Sequence, residues 1–331
     1  MENESSNGVL EEFRIEFLSC WQRLPNKGFF LAMFTLWLGL FHFWGNSTFG
    51  YISTPSLISW AYYAFVGGSA NLLEADGAYG LLVPVVVLFL FWLKREELLA
   101  LELRAWWPGL GMVAAALALH LVGYVVQQPR ISILGMIFGI YGLMGMAWGW
   151  AWLRASFFPF FLLAFCLPMG SLADLITVPM RLLVTKLVAV ISHFILAIDV
   201  IQNGNVLMDP SNRYQYEVAA ACSGIRSLFA IVVLAVVLGF VSFRSPWKRL
   251  ILVGSAFPLA VLGNLLRMLA IIIAAENWGQ ETGNRVHEGG PYGVFSLLPY
   301  VPAFVGLLLL EHYLRKSPGT TPPRTPEMQQ A

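Results

Sequence analysis

Charge is what this chain has least of. Asp, Glu, Lys and Arg make up 12% of its 331 residues, about half of the roughly 25% usual in soluble domains. Without that polar surface, a large water-facing fold is excluded. The net charge is only +1, which supplies no basic field for nucleic acid, and none is expected as a partner. Cysteine is scarce too. Cys20, Cys166 and Cys222 are an odd number and lie far apart, so neither a disulfide framework nor a CxxC or Cys/His metal site can be read from them. HExxH is absent, which removes the commonest zinc-protease signature. No metal and no cofactor is expected. No 20–50-residue repeat is visible, which argues against the doubled, interrupted-helix layout of many transporters.

What the chain has instead is apolar length. Hydrophobic residues reach 58%. A bilayer core of about 30 Å takes roughly 20 such residues in helix. The candidate spans are 28–45, 78–93, 107–126, 131–153, 156–170, 222–243, 250–275 and 293–314. The fifth is short and holds Pro159 and Pro168, while Pro84 lies inside the second; neighbouring helices can re-satisfy the backbone that a proline frees. The first run is expected to stay in the mature protein. Glu2, Glu4, Glu11, Glu12 and Glu16 precede it, whereas a secretory leader opens on a basic, acid-poor stretch and closes on a small-residue cleavage site.

The expected fold is all-α: a polytopic transmembrane helix bundle of about eight spans. Residues 1–27 form a cytoplasmic N-terminal segment, 28–314 the transmembrane domain, and the Pro-rich 315–331 a disordered cytoplasmic tail. Basic residues set its orientation. With the N-terminus inside, the cytoplasmic side collects Arg14, Arg23, Lys27, Lys94, Arg95, Arg104, Arg154, Arg244, Lys248, Arg249, Arg315, Lys316 and Arg324, while 46–77 holds no Lys or Arg and falls outside.

Residues 179–198 stand apart. Pro179 suits a first helical turn, and Arg181, Thr185 and Ser192 share one face of an otherwise apolar stretch, with Lys186 and His193 beside it. This stripe predicts an amphipathic interfacial or re-entrant helix on the outer side; a ninth span lining the bundle is the other reading. Asn203-Gly204-Asn205, Val206-Leu207-Met208, Asp209-Pro210-Ser211-Asn212 and the alternating Tyr214–Val218 then predict a short outer β-hairpin leading directly to Cys222.

Three polar islands interrupt the C-terminal third, and ionisable groups in or beside membrane segments mark functional sites by default. The first is Ala221-Cys222-Ser223-Gly224-Ile225-Arg226. Cys222 stands where a helix begins, and the free N–H groups of a helix start favour thiolate, the nucleophilic form. Ser223 and Gly224 keep the entry small. A packed, inert thiol is the plain alternative, as expected for Cys166 within Phe165-Cys166-Leu167. Arg226, four residues on, shares the helix face of Cys222; it either steadies the thiolate or snorkels to the interface.

The second island is Asn264-Leu265-Leu266-Arg267. An Arg inside a span never deprotonates, so it must be paired or wetted. Asn264 shares its face at i−3. Arg267 is either a fixed donor for a developing oxyanion or a structural clamp between helices. The third is His287-Glu288-Gly289-Gly290, in an outer loop. A neutral imidazole near a thiol can act as base and then as acid, with Glu276, Glu281 or Glu288 available to orient it; a loop His can equally be plain surface. His42, His120, His193 and His312 are less suitably placed. The orientation set by the basic residues brings Cys222, Arg267 and His287 to the same membrane face.

At these islands the chain resembles the exosortase/archaeosortase family of polytopic membrane transpeptidases, from about residue 55 to 312. Ala221-Cys222-Ser223-Gly224-Ile225-Arg226-Ser227 resembles the family's cysteine motif and Asn264-Leu265-Leu266-Arg267 its Asn-x-x-Arg. Glu74-Ala75-Asp76-Gly77-Ala78-Tyr79-Gly80-Leu81-Leu82-Val83-Pro84 is similar to its early-span segment, and Asn203-Gly204-Asn205-Val206 to the turn before its outer hairpin. The histidine motif departs from the pattern: Pro291 stands where the family has Gly, and Gly293-Val294-Phe295 opens the apolar run two residues later. A His at this place resembles the bacterial members. The resemblance implies a Cys222–Arg267–His287 thiol protease and transpeptidase in the inner membrane, active on the periplasmic face with both termini cytoplasmic. Its partners would be membrane lipids and secreted proteins bearing a C-terminal tripartite signal: a short motif such as Pro-Glu-Pro, an apolar helix and a basic end. The residues themselves leave two rivals open, a membrane acyltransferase on lipid-linked or glycan substrates and a non-enzymatic transporter or scaffold.

Overall fold

The computed structural model describes residues 2–48, 52–67, 79–169, 174–218, 225–290, 295 and 297–316, with backbone alone for 2–10, 79 and 225–227. Helix dominates, and the chain forms two compact units, residues 1–168 and 169–331. Five described helices are long and apolar enough to cross a membrane, and the polytopic all-α bundle expected from the sequence is what they make.

The first unit holds α1 (Glu2–Arg23), α2 (Lys27–Trp44), α3 (Leu57–Val66), α4 (Tyr79–Leu93), α5 (Arg95–Leu99), α6 (Pro108–Val125), α7 (Pro129–Trp148) and α8 (Trp150–Phe161), the last continued by a 3₁₀ turn, Leu162–Cys166. Small residues let α6 and α7 approach closely, as membrane helices do. A Cβ on Gly109 would sit 2.7 Å from the Gly142 carbonyl oxygen. Polar tips are tied to backbone: Trp37 Nε1 donates to the Met136 carbonyl at 3.0 Å and Trp148 Nε1 to that of Pro25 at 2.9 Å. The expected span 131–153 ends early, because Gly149 takes φ 95°, a left-handed value that stops α7 and starts α8 in a new direction. The expected span 156–170 accordingly begins inside α8 and is short as an α-helix.

The second unit is built around α11 (Pro246–Trp278). At 1.5 Å per residue it is about 50 Å long, well beyond the expected 250–275. Around it pack α9 (Asp174–Phe194), α10 (Ile225–Ser242), α12 (Gln280–His287) and α13 (Tyr300–Lys316). Met180, Val184 and Val188 of α9 join Leu252, Ala256, Met268 and Ile271 of α11 and Leu307 of α13 in one buried core. A Cβ on Gly263 would overlap the Pro299 carbonyl, so glycine sets the approach of α11 to the chain entering α13. Pro299 also explains why α13 starts at 300 rather than near 293: a residue before proline is driven out of the helical region.

Helix α9 differs from the interfacial helix expected over 179–198. It is a continuous 21-residue helix, about 31 Å long. Thr177, Thr185 and Ser192 are fully buried, whereas Leu175, Ile176, Val178, Leu182, Leu183, Val190 and Phe194 are exposed. Arg181, mostly buried, pairs with Asp174 at 3.6 Å, and Thr185 Oγ1 donates to the Arg181 carbonyl. The polar stripe therefore faces protein and the apolar face points out, the reverse of a helix floating on a membrane surface. Lys186 is the exposed exception in mid-helix, with a stem long enough to snorkel.

In place of the expected hairpin there is a three-stranded antiparallel sheet, β1 (Ile201–Asn203), β2 (Val206–Met208) and β3 (Gln215–Glu217), in that spatial order. The added strand is Ile201–Asn203. Gly204, at φ 60°, occupies the two-residue turn that a hairpin favours there. Leu207 pairs with Tyr216, and Tyr214, Leu207, Tyr216 and Val218 are buried.

Candidate active site

The C-terminal unit brings Arg267 and His287 together through a helical hairpin. Gly279 (φ 84°) ends α11 and lets α12 double back along it. Gly283 makes the contact close: a Cβ there would lie 2.9 Å from that of Ala275. The last residue of α12, His287, thus returns to the level of Arg267, which lies eleven residues, about 16 Å, inside the end of α11. Arg267 Nη2 donates to the His287 carbonyl oxygen at 2.9 Å. That bond satisfies one of the carbonyls a helix leaves free at its C-terminus. Arg267 Nε and Asn264 Nδ2 are buried and have no hydrogen-bond partner among the described residues. Two donors one turn apart on α11 are therefore left over from the bonding among the described residues.

His287 is half-buried. Burial foremost, then the Arg267 charge, holds its imidazole below the ordinary histidine value, with Glu288 pulling the other way. The neutral ring needed by a base is the form this setting favours. Of the three carboxylates expected to orient it, two are engaged elsewhere. Glu276 accepts from Arg213 Nη2 at 2.8 and 3.0 Å, and Glu281 pairs with Arg285 at 2.7 Å; Glu288, next in the chain, acts on the ring through its charge. A different neighbour, not anticipated from the sequence, lies across it. Tyr216 of β3 stacks on the imidazole with ring centroids 6.1 Å apart and planes 27° from parallel. The alternation Tyr214-Gln215-Tyr216-Glu217-Val218 marks Tyr216 as inward-facing, but nothing local in the chain says on what.

Cys222, Ser223 and Gly224 lie outside the described residues, as does the side chain of Arg226. Their flanks are fixed. Val218 N–H donates to the Asn205 carbonyl at 2.8 Å, closing the sheet, and α10 begins at Ile225, so the cysteine island joins the sheet that carries Tyr216 to a helix packed on α11. Three of the other histidines have neighbours of their own: His42 Nδ1 meets Ser56 Oγ at 3.0 Å, His193 Nδ1 meets Asp199 Oδ1 at 2.7 Å, and His120 packs on Phe41 with its Nδ1 buried and unpartnered among the described residues.

A model of the transmembrane exosortase family matches residues 72–305, well over half of the chain. The chain belongs to the exosortase family. The match runs from the segment before α4 into α13 and takes in all three polar islands. No curated protein and no solved structure matches the chain. This exosortase is an integral membrane protein, and the guanidinium and imidazole brought together here lie inside the matched region.

Proposed function

We propose that this exosortase is a cysteine transpeptidase that cleaves C-terminal sorting signals from secreted proteins through a thioester on Cys222. The observation that carries the reading is the Arg267–His287 bond. It ties a permanent positive charge to the backbone of a histidine whose imidazole is kept neutral, in the unit that also contains Cys222. His287 takes the Cys222 thiol proton, and the sulfur attacks the scissile carbonyl carbon. The oxygen gains negative charge, which Arg267 meets with preorganised N–H groups. Collapse breaks the C–N bond, and the imidazolium protonates the leaving amine. An incoming amine or water then attacks the thioester, gives its proton to His287 and releases the Cys222 sulfur. The substrate class, a short motif followed by an apolar helix and a basic end, comes from the family resemblance.

The site faces the outside of the inner membrane, with both termini inside. Eight crossings achieve this when α9 supplies the fifth and α8 does not cross. Support comes from the lengths, 21 residues against 12, and from the apolar outer face of α9. The exchange leaves the number of crossings even, so the sidedness set by the basic residues is unchanged. Helix α9 ends beside β1 and β2, and the end of α11 is tied to the turn between β2 and β3 through Glu276 and Arg213, as two helices running outward should be.

Cys222→Ala and Cys222→Ser test the activity. Each is expected to abolish processing of a co-expressed secreted reporter carrying such a tail, with normal accumulation in the membrane. A wild-type thioester adduct should be released by hydroxylamine. Full processing by Cys222→Ala refutes the cysteine mechanism.

A further inference from the structure

A base must be aimed as well as neutral, and the fold devotes more structure to His287 than one hydrogen bond. Residues Gln280, Gly283 and His287 recur at helical spacing and share one face of α12. Tyr216 lies along that face. Its hydroxyl donates to the Gln280 carbonyl at 3.1 Å, its ring passes Gly283, where any Cβ would overlap the phenol oxygen, and it lies offset and near-parallel beside the His287 imidazole. The tyrosine is itself almost fully buried. The strand bearing it is not loose. Arg213 grips the turn carboxylate Asp209 through Nε and Nη2 at 3.0 and 2.9 Å and reaches Glu276 of α11 through Nη2. Asp209 also accepts the backbone N–H groups of Ser211 and Arg213. The sheet is thus bolted to α11 by Arg213 and laid against α12 by Tyr216.

We propose that Tyr216 is a positioning residue for His287, fixing the plane of the imidazole and shielding it from water, so that the small sheet is part of the catalytic apparatus. The inference rests on the cysteine–histidine reading above. Among the described residues, the groups facing the imidazole are Arg267 from α11, Glu288 from the chain just after α12 and the Tyr216 phenol from β3; Glu276 of α11 is held by Arg213. Removing the tyrosine ring changes none of those charges. It admits water and lets the ring rotate. Water favours the imidazolium, so the histidine titrates closer to its ordinary value. Misaim of a catalytic group by about 1 Å can cost on the order of 100-fold.

The experiment uses the full-length protein in detergent or membranes. Tyr216→Leu keeps an apolar side chain at the site and removes the stack; Tyr216→Phe keeps the stack and removes the hydroxyl bond. Gly283→Ala displaces the phenol through its oxygen and Cζ while both aromatic residues stay in place, and because the new Cβ also meets that of Ala275 its melting temperature is recorded beside its activity. The His287 titration is followed by NMR of histidine-labelled protein, assigned with His287→Gln, and reporter processing gives kcat and KM across pH. Tyr216→Leu and Gly283→Ala should lower kcat by about 10- to 100-fold and raise the apparent pKa of the acidic limb, while Tyr216→Phe stays within about threefold of wild type with an unmoved limb. Wild-type kcat and titration in Tyr216→Leu overturn the proposal. So does a loss that Tyr216→Phe shares in full, or one with no movement of the limb, because either would mark a packing role. Unimpaired processing by His287→Gln would instead sink the parent mechanism, and the NMR titration would still report whether Tyr216 holds the ring.

Discussion

Replacing Arg267 separates what the guanidinium does for the fold from what it does for the reaction. Arg267→Ala deletes the bond from Nη2 to the His287 carbonyl. A hydrogen bond from a charged donor contributes about 1.5–3 kcal/mol, partly offset by relief of a charge held among apolar helices, so the loss of stability should be modest. The loss of catalysis should not be. Removing one oxyanion donor typically costs about 10²–10³ in kcat, or roughly 2.7–4 kcal/mol, and KM should move little because the interaction forms in the transition state. A second signature appears in the pH profile. The Arg267 charge helps hold the His287 imidazole below its ordinary value, so its removal raises that value and shifts the acidic limb of kcat/KM to higher pH. Arg267→Lys keeps the charge but not the planar fork. It should leave the limb in place and still lose about 10² in kcat. The assay is reporter cleavage in membranes as a function of pH, with enzyme amounts matched by immunoblot. Wild-type kcat in Arg267→Ala, or identical limbs for wild type and Arg267→Ala, refutes the reasoning. A lower acid stability follows from the same histidine. The unfolded chain takes up the imidazole proton near about 6.5, the folded chain only at lower pH, so stability is fully present above 6.5 and declines as pH falls through that window. His287→Gln should flatten this decline in a thermal-melt series.

Two further outcomes check the packing and the topology. Gly263→Val places a branched side chain against the Pro299 carbonyl and should cost about 1–3 kcal/mol by overpacking, seen as a lower melting temperature in detergent, whereas Gly254→Ala, with open space around it, should not. Single cysteines at Leu175 and Ala197, in a Cys20→Ser/Cys166→Ser/Cys222→Ser background, should label with an impermeant maleimide in intact cells at 197 only; labelling at both positions would put α9 at the interface and not across the membrane.

Much of the fold was legible because the bilayer imposes one length on every crossing. Runs 28–45, 78–93 and 107–126 became α2, α4 and α6 within one or two residues. Errors arose where hydropathy is indifferent to backbone geometry. Gly149 cuts an unbroken apolar stretch because of its positive φ, and Pro299 delays α13, yet neither changes the apolar count. Arg267 and His287 were found as costly polar groups, and their meeting follows from the αα-turn at Gly279. Tyr216 could not be found in this way. Its value to His287 depends on a contact 71 positions away in sequence, and an inward tyrosine on a strand reads as ordinary core. The proposed orienting role of Glu276 went astray for a related reason: proximity in sequence to His287 says nothing of Arg213, which claims that carboxylate from the sheet.

Helix α9 shows where sequence periodicity stops being informative. A polar stripe at helical spacing gives the same signal whether it meets water or protein. The usual reading sends Arg181, Thr185 and Ser192 toward solvent and lays the helix on the membrane surface. In the folded unit the stripe is buried and bonds within its own helix: Arg181 has Asp174 and Thr185 has the Arg181 carbonyl, while the Ser192 hydroxyl has no partner among the described residues. Leucines, isoleucine and valines are left facing outward. For a helix bathed in water that arrangement would expose a large apolar patch at a cost of about 25 cal/mol per Å². In lipid the same face needs no cover, while an exposed polar stripe would be the costly one. The exposed Leu182, Leu183 and Val190 therefore argue for lipid against α9, and at 21 residues the helix is long and apolar enough to cross a membrane.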